Sequence, residues 1–175
     1  MADFYKRITD MQGTVEDLVR RAPGFKGYFE KQDRRAADKL LREKLGREYG
    51  NQLDAFARVQ RKIVVAGGMR YMQQAQSIQT RLQTLIDKIE SASEGYAGLF
   101  DAVKVDERSL ASVYAFDNSM FVYQDQLATG LKELDKVVEG GEVGPVLDQL
   151  DALVSEMASA FSRRVEALQG LQSAV

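Results

Sequence analysis

Residues 143–172 read VGPVLDQLDALVSEMASAFSRRVEALQGLQ. Leu147, Leu150, Val154, Met157 and Phe161 recur in steps of three and four, and Leu168 and Leu171 resume the same series. That spacing puts every member on one face of a helix with 3.6 residues per turn. Only Arg164 interrupts it. Pro145 stands where the first turn of a helix tolerates a residue with no amide hydrogen, so the reading predicts a helix over 146–172.

The same period runs backwards through the chain. Leu110, Val113, Met120, Leu127, Leu131, Leu134 and Val138 form a heptad-like series in which Asp117 and Gln124 occupy apolar positions. It predicts a helix over 107–139, capped by Asp106 and stopped by Gly140-Gly141. Tyr71, Ala75, Ile78, Leu82, Leu85 and Ile89 predict a third over 69–92. Ala37, Leu41, Leu45, Tyr49, Leu53, Phe56 and Ile63 predict a long one over 28–66, continuous but weakened by Gly46 and Gly50. Phe4, Ile8, Met11, Val15 and Leu18 predict one over 3–21, ended by Pro23-Gly24. No segment has the alternation of a strand.

The fold expectation is therefore all-α. It is a single helical domain over 1–175, an antiparallel bundle or elongated coiled coil of about five helices. Gly67-Gly68 leaves a choice. Two adjacent glycines mark a turn, yet the apolar series nearly keeps phase across them, so one rod from 28 to 92 is the alternative. The last two helices should pair as a hairpin about 142–143. Arg164 then falls within a turn of Asp117, and the two should pair in or beside the core, fixing register more than adding stability.

Composition narrows the chemistry. The 175 residues contain no Cys, no His and no Trp. Disulfides, thiolate metal sites, cysteine nucleophiles and the commonest general base are thereby excluded. No phosphate-binding loop signature occurs, and a lone acid without base, nucleophile or ligands is not a mechanism. No catalytic, cofactor-binding or metal-ligating residue is expected, no cofactor is implied, and the chain reads as a non-enzyme. The longest apolar run, Ile63 to Met69, spans seven residues, against roughly 20 for a membrane span. With no apolar stretch near Met1, the expected location is the bacterial cytoplasm, with peripheral membrane contact as a variant.

Charge is polarised along the chain. Residues 1–70 hold 16 Lys/Arg and 10 Asp/Glu, whereas residues 71–175 hold 8 and 16. Opposite halves suit internal packing, head-to-tail association, or an anionic partner for the basic half. Lys31, Arg35, Lys39 and Arg42 form a basic stripe that could meet lipid headgroups. Nucleic acid is disfavoured by the sequence pI of about 5.4 and the lack of a binding motif. Two segments share the order Gly-aromatic-x-Gly-x-Phe, at Gly24–Phe29 and Gly95–Phe100. Their Phe25, Tyr28, Tyr96 and Phe100 either plug the bundle ends or make an exposed aromatic patch.

The segment Pro23–Phe29, Asp33–Arg42 and Gly95–Asp101 resemble uncharacterised bacterial helical proteins. The resemblance covers a minor part of the chain and implies no activity and no site residues. The functional expectation rests on the stripes. The chain reads as a scaffold or interaction protein, self-associating or binding another protein through these seams. The alternative is a peripheral protein that binds anionic lipid through the basic stripe and aromatic loops.

Overall fold

The computed structural model describes residues 14–27, 34–92, 107–140 and 142–172, and of 107–110 and 167–172 the backbone alone. Helix α1 runs through 14–21. Helix α2 spans Arg34–Val65, a 3-10 turn Met69–Tyr71, α3 Met72–Ser91, α4 Glu107–Val137 and α5 Val143–Gln172. All the described regular structure is helical, as the periodicity predicts. The expected segments 3–13, 28–33 and 93–105 lie outside the described residues. Helix α5 begins before Pro145, not after it, because the first turn needs no amide donor there.

Gly67-Gly68 is a turn, and the single rod is ruled out. Gly67 adopts φ +81°, a conformation that costs any residue with a Cβ. Its amide donates to the Val64 carbonyl at 3.0 Å, and the next amide, of Gly68, donates to Ile63 at 2.8 Å. Those two bonds are the Schellman closure that satisfies the last carbonyls of a helix. Gly68 is required for a different reason. A Cβ there would stand 2.6 Å from Ile63 Cγ2 and 2.9 Å from the Ile63 carbonyl oxygen. Gly46 and Gly50, by contrast, sit in unbroken helix.

Two antiparallel hairpins result, α2–α3 and α4–α5. Helix α2 packs chiefly on α3 and α4, and α5 on α3 and α4, leaving α2 diagonal to α5. The hairpins lie side by side in the same sense. Between α2 and α4, Tyr49 Oη donates to the Met120 carbonyl at 2.6 Å and Gln52 Nε2 to that of Gln124 at 2.9 Å. Further along, Lys62 pairs with Asp135 at 2.6 Å. The partner numbers rise together, so these helices are parallel. So are α3 and α5, joined by Gln74–Asp148 and Arg81–Asp151. Among the four long helices each therefore has one antiparallel and one parallel neighbour.

The apolar stripes are consumed by this packing. Val113, Met120, Leu127, Leu131, Leu134 and Val138 of the α4 series are buried, as are Leu147, Leu150, Val154, Met157 and Phe161 of α5. Helix α1 packs onto the bundle. Leu18, Ala22 and Phe25 are buried, and Arg21 reaches Asp125 on α4 at 2.7 Å while lying over the Phe121 ring. That carboxylate raises the pKa of the Arg21 guanidinium, chiefly through the hydrogen bond.

Burial pushes the Tyr49 phenol far above its ordinary value of 10.0, so it remains a neutral donor to Met120. A raised folded value means its contribution is intact below pH 10 and declines as pH rises further. Tyr49→Phe should cost about 1 kcal/mol at neutral pH for the lost bond and flatten the alkaline fall in stability. Urea unfolding at stepped pH measures both; an equally steep fall in the variant would place the alkaline sensitivity elsewhere.

The glycines make a second test. Gly50 would meet nothing within 4 Å if it carried a Cβ, so Gly50→Ala should stabilise by up to about 1 kcal/mol. Gly67→Ala and Gly68→Ala should each lower the melting temperature, the first through backbone conformation and the second through collision. Equal effects at all three positions would contradict the turn geometry.

Candidate functional site

Four charged side chains meet in one buried layer of the bundle. Arg164 on α5 donates from Nε to Asp117 Oδ1 on α4 at 2.6 Å, and from Nη2 to Asp38 Oδ1 on α2 at 2.7 Å. Asp38 Oδ2 accepts from Arg42 Nε at 2.7 Å. Arg42 Nη1 in turn donates to the Glu90 carbonyl at 3.2 Å, with the Ile89 carbonyl at 3.5 Å. All four residues are buried. The layer thus joins all four long helices, including the diagonal pair α2 and α5.

Each contact has a local cause. Arg164 and Asp117 occupy inward positions of their stripes, and the α4–α5 hairpin brings them level. Asp38 and Arg42 are one turn apart on α2, the spacing at which helix side chains meet. The carbonyls of Ile89 and Glu90 end α3, where no further helical amide reaches them and where the helix dipole favours a cation. In these bonds two carboxylates face two guanidiniums, and a third buried guanidinium, Arg34, lies one helical turn before Asp38 on α2. Arg–carboxylate bonds of this length are charge-assisted, and pairing is the condition under which buried charge is tolerated. The chemistry available here is structural pairing: both carboxylates are engaged by guanidinium.

The sequence-predicted residues fall into three groups. Asp117 and Arg164 are brought together. The basic stripe is divided: Arg35 and Lys39 are exposed, Lys39 pairs with Glu43 at 3.7 Å, and Lys31 lies outside the described residues. Arg42 is removed from that surface altogether, because it turns inward to Asp38 and the end of α3. Phe25 is also removed from any exposed patch. It is buried edge-on against Tyr114, with ring centroids 6.3 Å apart. Tyr28, Tyr96 and Phe100 lie outside the described residues. Asp38 is the participant that sequence reasoning passed over. Its signal was position, three residues before Leu41 and seven before Leu45.

Elsewhere, exposed large apolar side chains gather at the α2–α3 turn. Val64, Val65 and Met69 are 40%, 88% and 64% exposed. Arg61 and Arg70 flank them, and Arg70 lies over the Tyr71 ring, 4.7 Å from its centroid. Among the described residues no cluster of three or more Asp or Glu could hold a metal ion. No described helix is long and apolar enough to cross a membrane. Compared with known protein families, with curated proteins and with solved structures, the chain finds no significant match.

The layer makes a quantitative prediction. Asp117→Ala leaves a buried guanidinium short of charge and should cost about 3–5 kcal/mol. The double variant Asp117→Ala with Arg164→Ala should cost less than the sum of the two singles. Denaturant unfolding of the four proteins in the cycle gives the coupling directly; strict additivity would mean the pair does not interact.

Proposed function

We propose that this chain is a non-enzymatic helical scaffold that self-associates through the α2–α3 turn. The observation that carries this reading is the exposed apolar set at one end of the bundle. Val65 and Met69 project from a tight turn that needs neither side chain for its own packing, whereas the apolar stripes are used up inside the monomer. Clustered exposed apolar surface with a charged rim is the ordinary mark of a contact site. The absence of histidine and cysteine from the sequence supports the non-enzymatic part. The expected seat of association thereby moves from the stripes to the turn.

A second reading has its own support. Arg47, Arg58 and Arg61 are exposed on α2 and form no ion pair among the described residues. Basic side chains beside exposed apolar ones suit an anionic lipid surface. This set replaces the sequence-predicted stripe, which has lost Arg42 to the core.

Sedimentation velocity over a wide concentration range tests the first reading. The wild type should gain mass with concentration, and Val65→Glu with Met69→Glu should remain monomeric. A wild type that stays monomeric throughout would sink self-association. Vesicles of phosphatidylcholine with about one third phosphatidylserine test the second: salt-sensitive co-sedimentation would promote it, and none would remove it.

A further inference from the structure

An apolar groove lies on the outer side of α4 and α5, about 370 Å³ in volume. Val122, Gln126, Gly130, Glu133, Leu150 and Leu153 line it. Gly130 forms part of its floor. With no side chain there, Leu150 of α5 comes close to α4; a Cβ would stand 2.8 Å from Leu150 Cδ2. Val122 is 42% exposed. Glu133 on the rim is exposed and forms no ion pair among the described residues, while Asp125, also on the rim, is paired with Arg21.

The groove and the α2–α3 turn are complementary in kind. One is a concave apolar surface with an acidic rim; the other is a convex apolar knob with Arg61 and Arg70 beside it. The helices behind them differ in the same sense. Helix α2 carries nine Lys/Arg and four Asp/Glu. Helix α5 carries four Asp/Glu and two Arg, one of them the buried Arg164. These two helices are diagonal in the bundle, so basic and acidic flanks face opposite ways.

We propose that the turn of one copy seats Val65 and Met69 in the α4/α5 groove of a second copy, with Arg61 set against Glu133. This rests on the reading that the chain self-associates. Charge decides between the two available modes. Turn against turn brings Arg61 and Arg70 towards their own copies, whereas turn against groove brings them to an acid. The contact is heterologous, because knob and socket are different surfaces, and it propagates head to tail or closes a ring. The knob offers three side chains, well below the surface of about 800 Å² per partner in a standard interface. The association is therefore weak and concentration-dependent.

Mixing complementary variants tests this. The knob variant carries Val65→Glu and Met69→Glu; the socket variant carries Val122→Arg and Glu133→Arg. All four positions are exposed, and thermal unfolding checks that both variants fold. Each alone should be monomeric at concentrations where the wild type associates. Mixed, with one fluorescently labelled, they should form a one-to-one dimer and nothing larger, since one intact knob and one intact socket remain. A socket variant that associates like the wild type overturns the proposal. That outcome leaves self-association standing and moves it to a symmetric turn-to-turn contact. A mixture that stays monomeric while the wild type associates also overturns the proposal, because an intact knob and an intact socket would then fail to meet. A monomeric wild type overturns the underlying reading as well.

Discussion

The Arg164 guanidinium ties together two helices that lie diagonally across the bundle. It reaches Asp117 on its hairpin partner and Asp38 on the diagonal helix. Asp38 then passes the connection to Arg42 and so to the end of α3. Remove either carboxylate and a buried guanidinium loses its counter-charge in a medium that solvates it poorly. Apolar packing makes the bundle compact, but leucine and valine contacts tolerate sliding by a turn. A layer of directed charge-assisted bonds does not, and it sets the axial level of all four long helices at once.

Much of this was legible in the sequence, for identifiable reasons. The series Leu147 to Phe161 and Val113 to Val138 have no equally good explanation except helix, and their faces are buried as spaced. Arg164 and Asp117 stood out because each broke an otherwise apolar series, and a short hairpin makes their levels computable. The rest was hidden by degeneracy. Asp38 and Arg42 have the spacing of an ordinary surface salt bridge, and one sequence pattern serves both environments. The burial of Arg42 depends on where α3 ends, which is a tertiary fact. Gly67-Gly68 carries a turn signal as an adjacent pair, but the nearly unbroken apolar phase across it supports the rod equally, and only the φ of Gly67 separates the two.

The arrangement of the hairpins was not legible either. Stripes state which face of a helix is apolar, not which helix covers it. Short connections fix antiparallel partners within each hairpin, but the choice between parallel and antiparallel contact across the hairpins has no local signature. It is made by bonds such as Tyr49 to Met120, between residues far apart in the chain. The surface is likewise a product of assembly. Val65 becomes conspicuous only when every other stripe has found a partner, and the groove forms only where α4 and α5 meet.

The separation of local from distant contacts has a kinetic consequence. Each hairpin closes through residues near in sequence, at little cost in loop entropy. The charge layer joins residues 126 positions apart and can be completed only after both hairpins exist. Interactions completed after the rate-limiting barrier slow escape from the native state without hastening entry. Where the hairpins dock after that barrier, the charge layer at Arg164 lengthens the life of the native state more than it hastens its formation.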